Sequence, residues 1–528
     1  MSGSITSTFS CGLIGGNHLT VQCGDYLLSR GHIIKWVLPR GKMLTEWAQR
    51  NNITQYFTQQ EIIDAADTVD YIFSVVNDLI LSPALLAIPE KFAINYHNAL
   101  LPKYGGVFAT SWAILNDETS HGITWHIVRP AIDTGEILNQ QHIHISPTDT
   151  AYALNQRCYE VALQGFRESL VPDLEKNNIQ PIVQDESQRS YYTLYRKPPY
   201  GGLLRWDMPV TFLYKLYRAL SRGNIDNSFE HARIVYNDKV FSVHHLHPLT
   251  ADHRALPGTI LNIDADGMTV AVQDAALSIQ QLQGHDGEML TAAAWCKAHQ
   301  LERGNLLPLI SSAIGDALQS SCESVSKDEN FCIAQWKQAF AISQLEYEPI
   351  QSQPSSEIPI TSFVDTALVP VLFMLAVSSL YGKEIPVLYA TQTMHNRIVG
   401  METFFNAGLP VVVPCYVATS IHQQVDFLKN VCQKVEKRGI YGADIFVRRK
   451  INRSNLPLSI TISDEGYNTT AAIACVNIIY HPANNTFRIA AKRNALEDLF
   501  NCDQENFAIA VSQLVHQLSL SLTSDKNV

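Results

Sequence analysis

An amide, an imidazole and a carboxylate are the groups most able to do chemistry together in this 528-residue sequence. Asn95 and His97 are separated by one residue and follow the apolar residues 92–94, a pattern typical of a β-strand. Because side chains alternate along a strand, both would point to the same face. Asp133 comes further along the chain, before Thr134 and Gly135. The sequence therefore predicts that Asn95, His97 and Asp133 can meet in one pocket.

Three such groups suit acyl transfer to an amine. An amine that attacks a carbonyl carbon needs a donor for the developing oxyanion, a proton acceptor, and a partner that holds the imidazole in one tautomer. Neither Ser nor Cys is implied as a nucleophile, so direct transfer is favoured over a covalent intermediate. A structural interpretation also fits: Asn95 pins a turn, His97 is a hydrogen-bonded core histidine, and residues 133–135 form a tight turn. The residue types alone leave both interpretations open.

Three motifs resemble those of the folate-dependent formyltransferases, a family that includes the methionyl-tRNA, glycinamide ribonucleotide and sugar N-formyltransferases. They are Asn-x-His at residues 95–97, Leu-Leu-Pro-Lys-x-x-Gly at residues 100–106, and Asp-x-Gly at residues 133–135. The resemblance implies that Asn95, His97 and Asp133 are catalytic. It also implies 10-formyltetrahydrofolate as the co-substrate, with no metal.

Two further stretches resemble the folate-binding segments of that family. Residues 71–83 are similar to its pterin-binding stretch, and residues 124–128 to the strand before its folate-binding loop. Six residues are thereby implied as folate contacts: Leu79, Ile80, Leu81, Pro130, Ala131 and Ile132. Asn77 and Asp78 stand where the tRNA-formylating branch tends to have Tyr-Gly, and Gly105 where it often has Arg. These departures concern the acceptor more than the reaction.

Residues 1–190 alternate apolar strands with helical patterns, which predicts a Rossmann-like, doubly wound α/β catalytic domain. Gly12, Gly15 and Gly16 follow the first apolar run, but their spacing is not Gly-x-Gly-x-x-Gly. A strand-to-helix turn is enough to account for them. The carboxyl end of the strand at residues 93–99 is where open α/β sheets bind ligands.

Residues 191–310 show short strands bounded by Pro and Gly, which suggests a small β-barrel. The segment at residues 254–261 resembles part of the C-terminal domain of the formyltransferases. His244, His245 and His247 could be interpreted as a metal cluster. However, strand alternation separates His244 from the other two, and no Cys or Glu lies at ligand spacing. Ordinary strand histidines are the favoured interpretation.

Residues 328–528 read as a third, α/β unit after a Ser- and acid-rich segment (311–330) and a Pro/Ser/Gln linker (349–359). Residues 399–413 resemble part of the C-terminal half of nonribosomal peptide synthetase condensation domains. The half that carries the His-His-x-x-x-Asp-Gly active site of that family is missing. We therefore expect no condensation activity, and instead docking of a carrier protein or synthetase module.

The formal net charge of −11 argues against a nucleic-acid acceptor, because phosphate contacts favour a basic surface. The longest basic run is residues 448–450. The ten cysteines are scattered without a Cys-x-x-Cys pair, as expected for reduced thiols. No signal peptide is recognisable, and no apolar run approaches ~18 residues. These features predict a cytoplasmic protein without membrane spans.

The leading hypothesis is an N-formyltransferase that moves the formyl group of 10-formyltetrahydrofolate to an amine. The condensation-like segment suggests an aminoacyl-carrier protein or another natural-product intermediate as the acceptor. A 10-formyltetrahydrofolate hydrolase, with water as the acceptor, would use the same three residues. A non-catalytic adaptor of a nonribosomal peptide assembly line is a third hypothesis from a different class.

Overall fold

The structure is a computed structural model of the chain. The residues it describes are 7–223, 227–250, 254–284, 287–342, 358–360, 368–398, 400, 402–414, 420–442, 444–449, 460–464, 476–481, 486–491 and 503–524. They form three successive regions, each built around its own main sheet.

The amino-terminal region is an α/β unit. Its strands are β1 (Ser10–Gly15), β2 (Ile33–Pro39), β3 (Thr54–Gln55), β4 (Val69–Val75), β5 (Pro89–His97), β6 (Gly105–Gly106), β7 (Ser120–Ile127), β8 (Ile137–His144) and β9 (Tyr191–Tyr192). Its helices are α1 (His18–Ser29), α2 (Lys42–Arg50), α3 (Gln59–Ala65), α4 (Pro83–Leu86), α5 (Ala109–Leu115), α6 (Ala151–Gly165) and α7 (Val171–Glu175).

Seven of these strands form one sheet in the order β3-β2-β1-β4-β5-β7-β8. The central strands β1 and β4 are almost wholly buried, which explains their continuous apolar sequences. One apolar core includes α1 and α6, and a second includes α3 and α4, so helices cover both faces. The predicted Rossmann-like α/β domain is confirmed.

The sheet departs from an all-parallel arrangement at one end. The five neighbouring strands β3, β2, β1, β4 and β5 are parallel to one another. Strand β7 runs antiparallel to β5, and β8 runs antiparallel to β7. The reversal arises because the chain, after the short helix α5, returns beside the strand it has just left. Side chains of β7 therefore lie directly opposite those of β5.

The middle region is rich in β-structure, as predicted. Its strands are β10 (Arg233–Tyr236), β11 (Lys239–Leu249), β12 (Ile260–Asp264), β13 (Gly267–Ala271), β14 (Ala276–Gln283) and β15 (Met289–Thr291), and its helices are α8 (Val210–Leu220) and α9 (Ala292–Ala298). The antiparallel sheet has the order β10-β11-β14-β13-β12, with β15 beside β14. Within the described residues, its edge strands β10 and β12 do not pair with each other. One apolar core is continuous between this region and the amino-terminal region.

The carboxy-terminal region begins with two helices, and the first lies in the segment at 311–330 that the sequence analysis described only as rich in Ser and acidic residues. Its helices are α10 (Ser312–Ser326), α11 (Glu329–Ile342), α12 (Val369–Tyr381), α13 (Gln392–Asn396), α14 (Ile421–Arg438), α15 (Ile445–Arg448) and α16 (Gln504–Ser524). Its strands are β16 (Ile358–Pro359), β17 (Ile385–Ala390), β18 (Phe405–Ala407), β19 (Leu409–Val413), β20 (Ile440–Gly442), β21 (Ile460–Asp464), β22 (Val476–His481) and β23 (Thr486–Ala491). The main sheet has the order β16-β23-β22-β21-β17-β19.

Some sequence predictions concern residues outside this description. Most of the linker at 349–359 lies outside the described residues. Seven cysteines are described, and all are buried and unbridged, whereas Cys415, Cys475 and Cys502 fall outside.

The strand histidines of β11 do not converge. The side chain of His244 is close to that of Gln283, while His245 and His247 are exposed. Across the described ranges, no group of three His, Cys, Asp or Glu side chains is arranged to hold a metal ion. Nor does any helix within those ranges have the length and apolar character needed to cross a membrane.

Candidate active site

The structure brings Asn95, His97 and Asp133 together at the carboxyl end of β5. Asn95 and His97 lie two residues apart on β5, while Asp133 lies in the loop between β7 and β8. Nδ1 of His97 is 3.7 Å from Oδ2 of Asp133. A second imidazole, that of His126 on β7, lies 3.5 Å from the other oxygen of Asp133.

The amide of Asn95 is held from two sides. Its Oδ1 accepts a hydrogen bond from Oγ of Ser74 at 2.8 Å, and its Nδ2 is 3.2 Å from Nε2 of His126. These contacts fix which end of the amide faces the site. The second N–H of the amide has no protein partner among the described residues, so it remains available to a bound molecule.

His97 has its tautomer set by a backbone carbonyl. Nε2 lies 2.8 Å from the carbonyl oxygen of Tyr104, which can only accept a hydrogen bond. Nε2 must therefore carry the hydrogen, and in the neutral ring Nδ1 presents a lone pair toward Asp133.

His126 was not among the site residues predicted from the sequence. Its Nδ1 lies 2.9 Å from the carbonyl oxygen of Ile127, so Nδ1 carries the hydrogen and Nε2 accepts from Asn95. In the strand register His126 lies directly opposite Asn95. The sequence placed residues 124–128 on a strand, but the antiparallel pairing with β5 was the signal needed to find His126.

Asp133 has a backbone conformation that its surroundings hold in place. Its φ is 55°, in the left-handed region that is costly for most residues, and its Oδ2 accepts a 2.7 Å hydrogen bond from the N–H of Gly106. Gly106 has a φ of 96°, and a Cβ there would lie 2.1 Å from the carbonyl oxygen of Tyr192. Glycine is therefore required at the position that binds the carboxylate.

Two later side chains clamp the loop around Asp133. Nε2 of Gln184 donates to the carbonyl oxygens of Asp133 at 3.0 Å and Gly135 at 2.6 Å. Arg189 donates to the carbonyl oxygen of Ile132 at 2.8 Å. No motif in the sequence pointed to Gln184 or Arg189, because their contact with the loop joins segments far apart in the chain.

The electrostatic environment keeps Asp133 ionised. Burial by itself would raise the pKa of this carboxyl group. When protonated, the imidazoles of His97 and His126, together with the N–H of Gly106, outweigh burial and hold the pKa of Asp133 well below its usual range. A proton located between Asp133 and one of the imidazoles is thus stabilised by the carboxylate and by the lone pair of that imidazole.

The first predicted folate segment follows β4 and is tied to the same site. Asn77 donates to the carbonyl oxygen of Leu79 at 2.8 Å and to Oγ of Ser74 at 3.2 Å, so one hydroxyl links this loop to Asn95. Gln59 donates to the carbonyl oxygen of Ile80 at 2.9 Å. The side chain of Ile80 is 69% exposed, whereas Leu81 is buried in the core.

The second predicted folate segment, Pro130, Ala131 and Ile132, directly precedes Asp133. All three residues are exposed, and Ile132 presents a large apolar side chain to solvent. Thr134 donates to the carbonyl oxygen of Ala131 at 2.9 Å, which stabilises the turn. Among the six residues predicted to contact the folate, Leu81 is the one whose side chain is buried in the apolar core.

Two sequence profiles match this chain. One, described as formyl transferase, covers residues 42–170, and the other, formyl transferase C-terminal domain, covers residues 199–300. These two segments of the chain are similar to the two domains of a formyl transferase. The first profile contains Asn95, His97, His126 and Asp133, and its match ends before the carboxy-terminal region.

Known formyl transferases are similar over about half of the chain. A methionyl-tRNA formyltransferase from Clostridium acetobutylicum is 29% identical over 283 residues, which are 51% of this chain and 87% of that protein. The crystal structure of WlaRD, a sugar 3N-formyl transferase with dTDP and 5-N-formyl-THF, is 20% identical with a TM-score of 0.40, over 52% of this chain and 97% of that one. HypX from Aquifex aeolicus in complex with tetrahydrofolic acid is 13% identical with a TM-score of 0.43, over 58% of this chain and 51% of that one. At these TM-scores the structural similarities add nothing to the two profile matches.

Proposed function

We propose that this protein transfers the formyl group of 10-formyltetrahydrofolate to a primary amine, with Asn95, His97 and Asp133 as the catalytic residues. The observation that carries the proposal is the uncommitted N–H of Asn95 beside two imidazoles that face an ionised carboxylate. This arrangement offers an oxyanion donor and a proton-holding group a few ångströms apart, which acyl transfer to an amine requires.

Bound 10-formyltetrahydrofolate supplies a formyl group on nitrogen, and that nitrogen is the leaving group. The N–H of Asn95 donates to the formyl oxygen as the amine attacks the carbon. Asp133 receives the amine's proton and shares it with Nδ1 of His97, which then becomes a second donor. Breakage of the carbon–nitrogen bond returns the proton to the leaving nitrogen, so no net proton is consumed.

His126 acts through the two groups it touches. Its Nε2 keeps the Asn95 amide oriented, and its ring, when protonated, adds to the field that keeps Asp133 ionised. We assign it as a positioning residue.

The segments at Leu79–Leu81 and Pro130–Ile132 fit a role in binding the folate. Both adjoin the proposed catalytic residues, and each exposes a large apolar side chain, Ile80 or Ile132, suited to cover a pterin ring. The carbonyl oxygens of Leu79 and Ile80 each accept one bond from the protein and retain a second lone pair for a ligand.

For the acceptor, we propose the amine of an aminoacyl-carrier protein or a related natural-product intermediate. The net charge of −11 disfavours tRNA, and the resemblance to a condensation half-domain favours a docking role for the carboxy-terminal region. We assign residues 1–190 to catalysis, 191–310 to a formyltransferase C-terminal-like domain, and 328–528 to docking. Formylation of an aminoacyl-carrier protein, compared with methionyl-tRNA under the same conditions, tests this assignment.

The catalytic proposal is tested by formyl transfer from 10-formyltetrahydrofolate with the purified full chain. Asn95→Ala and His97→Ala should each lower turnover about a hundredfold or more, since an oxyanion donor contributes roughly 3–4 kcal/mol. His32→Ala is the matched control, because His32 is a buried histidine just before β2, at the opposite end of the parallel strands.

Full activity of a folded His97→Ala protein would refute the assignment. Formate release that equals donor consumption, with amine acceptors present, would identify the hydrolase alternative. Absence of 5-formyltetrahydrofolate binding in calorimetry would favour the adaptor.

A further inference from the structure

An arginine beyond α8 carries a charge that no acidic side chain of the described residues balances. Arg222 lies two residues beyond the end of α8, and its guanidinium stacks 4.6 Å above the ring of Phe108. Its Nε and Nη1 are both buried and have no hydrogen-bond partner in the part of the chain that the structure describes. No acidic side chain among the described residues forms an ion pair with it.

The stacking on Phe108 positions this guanidinium without neutralising it. A cation over an aromatic face gains about 0.5–2 kcal/mol, but the ring offers no acceptor to the two buried nitrogens of this half-buried side chain. Burial lowers the pKa of Arg222 to about 10, so the side chain remains protonated at neutral pH. Its electrostatic neighbour is the hydroxyl of Tyr159, whose pKa is raised chiefly by burial, so that group is neutral.

Arg222 is connected to the surroundings of the proposed catalytic residues by two short paths, and the first passes through Phe108. Phe108 is two residues beyond Gly106, which binds Asp133. The second path begins at Asn98, the residue directly after His97. Nδ2 of Asn98 donates to Oδ1 of Asn155 at 2.9 Å. Asn155 lies one helical turn before Tyr159 on α6. A row of polar side chains, Asn98, Asn155 and Tyr159, therefore leads from the end of β5 to Arg222.

We propose that Arg222, with Tyr159 and Asn155, binds a phosphate ester of the acceptor substrate. The proposal rests on the proposed function only in naming the bound molecule an acceptor. A guanidinium binds phosphate oxygens through charge-assisted hydrogen bonds, and a phosphate ester with nearly two negative charges balances the charge of Arg222 more fully than a carboxylate does. A phosphopantetheine arm and a nucleoside diphosphate share this chemistry.

The test measures the binding of defined probes to the full-length chain by calorimetry. The probes are inorganic phosphate, 4′-phosphopantetheine against pantetheine, and uridine diphosphate against uridine. The wild type should bind the phosphorylated member of a pair at least tenfold more tightly than its phosphate-free partner. Arg222→Met should remove that preference, and Arg222→Lys should keep part of it.

Arg167→Met is the matched control, because Arg167 is an exposed arginine that stacks on Tyr26. It should leave phosphate binding unchanged. Preference for phosphopantetheine or for uridine diphosphate identifies the source of the phosphate, and either supports the proposal. The proposal is overturned if Arg222→Met binds inorganic phosphate and both phosphorylated probes as tightly as the wild type does. It is also overturned if the wild type binds none of these three probes.

A separate measurement keeps this result distinct from the proposed function. Binding of 5-formyltetrahydrofolate should be unchanged in Arg222→Met. If the wild type binds phosphate through Arg222 but does not bind the folate, the subsite stands and the formyl-transfer proposal fails. If the folate binds and the phosphate preference is absent, the reverse holds.

Discussion

Ser74 offers a quantitative test of how the Asn95 amide is positioned. Oγ of Ser74 donates to Oδ1 of Asn95 at 2.8 Å and accepts from Nδ2 of Asn77 at 3.2 Å, and the residue is almost fully buried. Ser74→Ala removes one of the two contacts that orient the amide, while the contact with His126 remains. The side chain itself touches no reacting atom in the proposed mechanism, so its whole effect should pass through Asn95.

The expected magnitude follows from the bond that is lost. A neutral hydrogen bond contributes about 1 kcal/mol net, which corresponds to roughly fivefold in rate. Deleting the oxyanion donor itself costs about 3–4 kcal/mol. Ser74→Ala should therefore lower kcat roughly threefold to tenfold in the wild-type background and less than twofold in the Asn95→Ala background, because the amide it positions is then absent.

The assay is a double-mutant cycle on initial rates of formyl transfer. Ser111→Ala is the matched control, since Ser111 is a buried serine whose hydroxyl has no hydrogen-bond partner among the described residues. It should change the rate by less than twofold. An equal loss of rate from Ser74→Ala in both backgrounds, or no loss in either, would refute a positioning role that acts through Asn95.

Three further predictions follow from the same geometry. His126→Phe should lower kcat roughly tenfold, about 1.4 kcal/mol, with little change in 5-formyltetrahydrofolate affinity, because the amide of Asn95 loses its second anchor; an unchanged kcat would contradict this. Gly106→Ala should lower the melting temperature and the activity, because its Cβ would meet the Tyr192 carbonyl, whereas Gly105→Ala, whose Cβ has no neighbour nearer than 3.5 Å, should be tolerated. Burial lowers the pKa of His121 to about 4 in the folded protein, whereas the pKa of a histidine in the unfolded chain is ~6.5. Between pH 6.5 and pH 4, roughly, the unfolded chain therefore binds a proton at His121 that the folded chain does not. Acidification through this window should therefore cost roughly 3 kcal/mol of stability, and His121→Gln should show a shallower fall in melting temperature from pH 7 to pH 5.

The part of the site that local rules govern was predictable. Strand alternation alone places Asn95 and His97 on one side of β5, and the structure brings Asp133 to within 3.7 Å of His97. His126 and Ser74 were not predicted, because each reaches Asn95 from a neighbouring strand. The order and direction of strands in a sheet are set by tertiary structure. The sequence of one strand therefore does not predict which strands will pair with it.

The loop around Asp133 shows the same division. Asp-x-Gly predicts a tight turn, and the turn is present with a positive φ at Asp133. The clamp by Gln184 and Arg189 depends on a segment that follows α7, and its sequence contains no motif. From sequence alone, polar residues in a loop are predicted to be exposed to solvent. Only the folded structure shows that a buried carbonyl group elsewhere in the chain needs them as hydrogen-bond donors.

The junction with the carboxy-terminal region limits how that region can act. Arg448 of α15 is buried, its Nη2 is 2.6 Å from Glu329 of α11, and its Nε is 3.5 Å from Glu230, just before β10. Burial by itself would lower the pKa of Arg448, but these carboxylates outweigh it and raise that pKa. Arg233 of β10 likewise lies 3.5 Å from Asp444.

Separation of the two regions would leave buried charges on both sides without their partners, which typically costs several kcal/mol for each broken pair. The carboxy-terminal region is therefore a fixed part of the molecule, attached to the same middle region that supplies Arg222. If it docks a carrier protein, as proposed, the carrier is held at a set distance from Arg222 and Asn95. Selection of the acceptor then depends on whether its phosphate and its amine span those two points together, a requirement that neither the catalytic residues nor the docking region imposes alone.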